Sequence, residues 1–125
     1  MKRIVVIVAA LALLVPAGAA RASHRPNQYC SSTGDICMST RLVDGKRVLR
    51  IGIFEKYFGR YRLCVVAPDE TRECHNFRIR RLGPVYGDNV NWRNNFDPRG
   101  RGEYTVIWKS LPDRTRVGRR LGFHI

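Results

Sequence analysis

Arg60-Tyr61-Arg62-Leu63-Cys64-Val65-Val66-Ala67-Pro68-Asp69-Glu70-Thr71-Arg72-Glu73-Cys74-His75-Asn76-Phe77-Arg78 is the stretch that decides the fold. Tyr61, Leu63 and Val65 alternate with Arg60, Arg62 and Cys64, and Phe77 alternates with Cys74 and Arg78. Successive side chains of an extended chain point to opposite faces, so each half reads as a strand with one apolar and one basic face. Pro68-Asp69-Glu70 supplies a three-residue turn between them. Folding about that turn sets Cys64 opposite Cys74, Arg62 beside Asn76 and Arg60 beside Arg78. Both sulfurs then share the arginine face.

The same reasoning carries outward. Thr33-Gly34 lets the chain return so that Cys30 faces Cys37 and Tyr29 faces Met38. Cys37 shares parity with Ser39 and Arg41, so this bridge also points away from the core. Four cysteines allow three pairings. The two hairpins favour Cys30–Cys37 and Cys64–Cys74, at separations a disulfide can span. The intervening gaps fit none of the short paired spacings of zinc sites. Further alternating runs cover Ile36-Val43, Lys46-Ile53, Arg72-Leu82, Glu103-Lys109 and Arg116-Ile125, with a weaker one at Asn89-Trp92. Asp44-Gly45, Gly83-Pro84, Gly87-Asp88, Asp97-Pro98 and Pro112-Asp113 read as the turns between them. No stretch keeps an amphipathic helical period for three turns. Seven or eight short strands in about 100 residues imply one all-β domain, an antiparallel β-sandwich. Leu49, Ile51, Ile53, Tyr61, Leu63, Val65, Phe77, Ile79, Leu121, Phe123 and Ile125 fall on the core side.

The N-terminus has a different character. Lys2 and Arg3 precede the apolar run Ile4–Val15, Pro16 ends it, and small residues lead to Ala20-Arg21-Ala22. This is the layout of a Sec signal peptide, expected over 1–22 and cleaved after Ala22, with Ala19 and Ala20 as other cut points. The competing reading, an uncleaved anchor, needs a run nearer about 20 residues. The domain is then 23–125, secreted and extracellular, with no integral membrane span, in keeping with paired cysteines.

The whole chain carries 23 Lys or Arg against 10 Asp or Glu, a formal charge of +13. Without residues 1–22 it is +10, so the positive charge belongs to the domain. Most of these bases are arginine, whose planar fork pairs bidentately with carboxylate or phosphate.

In the last third, Gly102-Glu103-Tyr104-Thr105-Val106-Ile107-Trp108 and Gly118-x-x-Leu121-x-Phe123-x-Ile125 resemble the final two strands of many immunoglobulin-like domains. That resemblance implies a tyrosine corner, with the Tyr104 hydroxyl against an upstream backbone group. Together with Cys30-x6-Cys37 and Tyr57-Phe58-x-Arg60-Tyr61-Arg62-Leu63-Cys64, the ending is similar to small secreted immunoglobulin-like proteins of actinobacteria. This likeness implies a fold and carries no activity. The Gly-x-Tyr-x-Val-x-Trp strand also resembles the end of periplasmic copper-resistance sandwiches, which hold copper through an N-terminal histidine. Here His24 is the second residue after the expected cut, and His75 and His124 have parity opposite to any obvious partner cluster. No metal and no cofactor are expected.

Catalytic constellations are missing too. Asp69, Glu70, Asp97 and Asp113 sit in turns, the cysteines are committed to bridges, and no serine has a nucleophile elbow or a histidine relay. Two non-enzymatic readings remain. In the first, Arg62, Arg78 and Arg80 form a basic face for an anionic polymer or envelope surface, extended by Arg41 and Arg50 if their strands share that sheet. In the second, an Asn-rich loop at 85–101 presents Trp92 and Phe96 to a protein partner, unless those aromatics plug the end of the sandwich. A monomer is expected in either case.

Overall fold

The structure is a computed structural model that describes residues 24–125, so the expected signal segment 1–22 lies outside the described residues. Ten strands and one short helix follow in order: β1 Gln28–Cys30, β2 Ile36–Ser39, β3 Leu42–Val43, β4 Lys46–Ile53, β5 Arg60–Val66, β6 Arg72–Arg78, β7 Arg80–Leu82, β8 Val85–Asn91, α1 Trp92–Asn95, β9 Glu103–Leu111 and β10 Arg116–His124. They form two antiparallel sheets. One runs β1-β2-β4-β8-β7 with β3 also paired to β4, and the other runs β10-β9-β5-β6.

Both hairpin registers are as the turns dictate. Cys30 pairs with Cys37 and Tyr29 with Met38, while Cys64 pairs with Cys74, Arg62 with Asn76 and Arg60 with Arg78. Disulfides close Cys30–Cys37 and Cys64–Cys74, one within each sheet. At Pro68-Asp69-Glu70 the third loop residue takes the left-handed conformation, with φ of 67° at Glu70, as three-residue hairpin loops do. Asp44-Gly45 is the two-residue form: both have positive φ and link Val43 to its partner Lys46.

The inward parity of the two sheets meets in one core containing Met38, Leu49, Ile51, Ile53, Tyr61, Leu63, Val65, Val106, Trp108 and Leu121. Its open end is stopped by Trp92, Tyr104 and Phe123, whose ring centroids lie 5.1 Å apart pairwise. Trp92 and Phe96 are both buried, so the segment expected to be a loop at 85–101 is a strand, a single helical turn and a short return. Its aromatics face inward because apolar rings close a sandwich end more favourably than they face water. Ile125, read as core, is instead 43% exposed, since β10 ends at His124.

Three further expectations are corrected. Gly87-Asp88 is not a turn but the middle of β8, where Asp88 pairs with Ile51. A Cβ on Gly87 would stand 2.1 Å from the Ile51 carbonyl oxygen, so glycine is there for close strand approach rather than for a bend. The run Ile36-Val43 is broken because buried Thr40 turns inward and donates its hydroxyl to Gly122 O at 2.7 Å. The run Arg72-Leu82 is also two strands. At buried Ile79 the chain leaves β6 and joins the other sheet as β7. In β10 the register with β9 shifts between Val117 and Leu121. Gly118 there has φ of 63°, and a Cβ would meet the Met38 methyl at 2.6 Å. That bulge keeps Val117 and Leu121 both on the core side.

Candidate functional site

The outer face of the four-stranded sheet can be built from register alone. Arg116 pairs with Lys109, Lys109 with Arg62, and Arg62 with Asn76, so one row crosses the sheet with three cations side by side. In the next row Arg60 lies between Leu111 and Arg78. On the other side of the first row, Cys64 lies between Ile107 and Cys74. Both Cys64 and Ile107 are buried although they point away from the core. Beyond them Arg72 faces Val66.

Six bases, Arg60, Arg62, Arg72, Arg78, Lys109 and Arg116, thus share one face. None of them is in an ion pair among the described residues. Arg62 reaches a neutral oxygen, donating to Asn76 Oδ1 at 3.2 Å. Like charges directly opposite on neighbouring strands are destabilising. The cation rows therefore carry an electrostatic cost with no ion pair among the described residues to offset it, since Glu103, the acid on the same outer parity, lies at the far end of the sheet.

The residues expected to make a single patch divide between the sheets. Arg62 and Arg78 are on this face. Arg41, Arg50 and Arg80 belong to the other sheet or its margin, and each has a local partner. Arg50 donates to Asn89 Oδ1 at 2.7 Å, Arg41 to Gln28 Oε1, and Arg80 to Asp88 Oδ1 at 2.8 Å. Arg80 was grouped with Arg78 because the two share parity, but the sheet crossing at Ile79 separates them. Lys109, Arg116, Arg60 and Arg72 share the face with Arg62 and Arg78. Lys109 and Arg116 were out of reach of hairpin reasoning because β5 meets β9 only after a long excursion of the chain.

No protein-family model, curated protein or solved structure matches the chain.

Asp88 is a buried carboxylate that reading Gly87-Asp88 as a turn concealed. Tyr61 donates its hydroxyl to Asp88 Oδ2 at 3.0 Å, Arg80 donates to Oδ1, and the Asn89 N–H donates to Oδ1 at 3.0 Å. Tyr61 on β5 and Asp88 on β8 come from different sheets, so this cluster ties the two layers together. Burial, followed by the neighbouring Asp88 charge, pushes the Tyr61 phenol well above the usual tyrosine range. Its ionised form is disfavoured on both counts. With three donors on Asp88, the phenol and the carboxylate hold the two sheets together.

The Tyr104 hydroxyl, placed near a strand start, donates to Gly100 O at 2.7 Å and accepts from the Arg99 N–H at 2.8 Å. It pins the return from α1 into β9. A second cluster forms at the far end of the basic sheet. His124 Nε2 lies 2.7 Å from His24 Nδ1, and Glu103 Oε2 lies 3.7 Å and 3.8 Å from the same two nitrogens. His124, expected from its parity to lack a partner cluster, has one. Glu103 is its direct cross-strand neighbour. His24 arrives from a segment that no alternation pattern describes.

Proposed function

We propose that the protein is a secreted, non-enzymatic binding module that engages anionic polymers through the outer face of its four-stranded sheet. Anionic envelope polymers, acidic polysaccharide and free nucleic acid share the chemistry of closely spaced negative charge that such a face suits. One observation carries the reading: Arg62, Lys109 and Arg116 stand directly opposite one another with no carboxylate among them. A linear polyanion laid across that row relieves the repulsion the fold leaves in place.

An immunoglobulin-like topology suits this role. The orders β2-β4-β8-β7 and β10-β9-β5-β6 correspond to an A-B-E-D sheet and a G-F-C-C′ sheet. Tyr104 then stands at the start of the F-equivalent strand, where a tyrosine corner belongs. The chain departs from antibody domains in keeping its disulfides within sheets and in carrying Trp108 on that same strand. Two disulfides favour an oxidising, extracellular setting. The other reading, a protein partner at 85–101, loses its anchors, because Trp92 and Phe96 are buried.

Retention on immobilised heparin at rising salt tests the proposal. Changing Arg62, Lys109 and Arg116 to Ser should flatten the dependence of log affinity on log salt by up to about two to three units. Changing Arg41, Arg50 and Arg80 to Ser should leave that slope nearly as it was. Equal effects from the two triple variants would reduce the binding to net charge and overturn the site.

A further inference from the structure

Glu103 and His124 face each other across β9 and β10, with their side chains on the outer parity of the sheet. The segment before β1 runs beside them and is held by backbone. Gly122 N–H donates to Pro26 O at 2.9 Å, Thr40 N–H donates to Asn27 O at 2.9 Å, and Arg25 N–H donates to Glu103 Oε1 at 2.9 Å. Those bonds bring His24 to the pair from a hundred residues away in the chain. His24 Nδ1, His124 Nε2 and Glu103 Oε2 form a triangle with sides of 2.7, 3.7 and 3.8 Å. The nearest point equidistant from all three lies in their plane about 2.0 Å from each, the ligand distance of imidazole and carboxylate on zinc, and parting the two histidines by about half an ångström would open the angles toward tetrahedral.

We propose that His24, Glu103 and His124 bind one divalent transition-metal ion of the zinc class. The donor set, two neutral imidazoles and a carboxylate, is that of zinc sites which keep a position open. Glu103 is oriented as ligating carboxylates are, since its second oxygen is held by the Arg25 N–H and only Oε2 faces the histidines. His24 and Glu103 also line a cleft of about 530 Å³, with Arg119 and Arg120 on its wall. The fourth ligand reaches the ion from that side. The arginines oppose a bare cation there, so an anion or hydroxide suits the open position better than neutral water. The third histidine has no such setting: His75 has one carboxylate, Glu73 at 2.9 Å, and the Phe96 ring at 5.0 Å, with no second histidine beside it among the described residues.

Titration calorimetry of the untagged, chelator-treated protein with Zn²⁺ alone, both disulfides intact, tests the site. One equivalent should bind. His24→Ala and Glu103→Gln should each weaken binding by more than the roughly 10–100-fold that loss of an outer partner costs. His75→Ala should bind as wild type does. Zinc should also raise the melting temperature of wild type and of His75→Ala, and not that of His24→Ala. His24 is exposed and lies outside every strand, so its replacement leaves the fold to report on. Absence of Zn²⁺ binding to wild type would show that the 2.7 Å contact is only a histidine–histidine hydrogen bond. Unchanged binding in His24→Ala, or equal loss in His75→Ala, would place the ion elsewhere. Any of these results overturns the proposal.

Discussion

On the six-stranded sheet Arg47 donates to Thr40 O and His124 O, Arg50 to Asn89 and Arg80 to Asp88. On the four-stranded sheet Lys109 has Arg62 on one side and Arg116 on the other, and Arg60 has Arg78. The residue type is nearly the same on both faces, so arginine content does not distinguish them. What differs is the surroundings: Arg47, Arg50 and Arg80 have Leu42, Asn89 and Gly87 opposite and oxygens within reach, whereas Lys109 has an arginine on either side. A guanidinium beside an amide or carboxylate oxygen gains charge-assisted hydrogen bonds and becomes part of the scaffold. One beside another cation adds repulsion even where it also finds an oxygen: Arg62 donates to Asn76 Oδ1 on one side and has Lys109 on the other. A strand's own sequence shows that it carries arginine, and only its partner shows whether that arginine is spent.

The contrast holds only if both faces rest on one core, and the largest expected effect tests that. Trp108 is fully buried one residue from Lys109. Trp108→Ala should cost about 3–5 kcal/mol and should lower the unfolding midpoint of the whole domain in one transition by urea denaturation. Two separate transitions would mean that the sheets are independent units, and the comparison would fail.

Each sheet also has its own staple, and the two differ in exposure. Closing loops this short is worth about 2–3 kcal/mol per bridge in the chain-entropy model. Cys64 is buried while Cys30 is exposed. Graded reduction followed by alkylation and peptide mapping should open Cys30–Cys37 before Cys64–Cys74. Fully oxidised protein should give only those two linked peptides; a crossed pair such as Cys30–Cys64 would undo both hairpin registers.

The committed face should lose stability where the free face does not. Asp88→Ala leaves the buried Tyr61 hydroxyl without its acceptor, a loss of about 1–3 kcal/mol. The Tyr61 phenol is raised in the fold above its unfolded value. Its contribution is therefore fully present below the ordinary tyrosine pKa of about 10 and is lost as pH rises beyond it. A stability profile taken from pH 8 to 11 should fall at its alkaline end, and Tyr61→Phe should flatten that fall.

The smallest effect is the most discriminating. Arg62→Glu puts a carboxylate opposite Lys109 and should raise stability by a few tenths to about 1 kcal/mol while weakening heparin retention. Arg50→Ser, on the other face, should lower stability and leave retention nearly unchanged. If Arg62→Glu destabilises, the row is held by contacts of its own and is not waiting for an anion.

Much of this molecule is local and was legible in its sequence. Period-two alternation set the strands and their inward faces, because side chains of an extended chain must alternate. Turn chemistry at Thr33-Gly34, Asp44-Gly45 and Pro68-Asp69-Glu70 set the hairpins, and the hairpins determined which cysteines meet. Trp108 is buried on the parity it shares with Val106, whereas the hydroxyl contact of Tyr104 was implied by the resemblance to immunoglobulin-like endings and not by alternation. Tertiary structure alone decided what lies beside what across distant segments. It moved Arg80 to the other sheet at Ile79, set Lys109 and Arg116 next to Arg62, buried Asp88 against Tyr61, and brought His24 to Glu103 and His124. The reason is physical. Alternation and turn geometry act over a few residues, whereas strand order across two sheets is settled by which arrangement buries the apolar faces together, and that choice leaves no periodic mark in the chain.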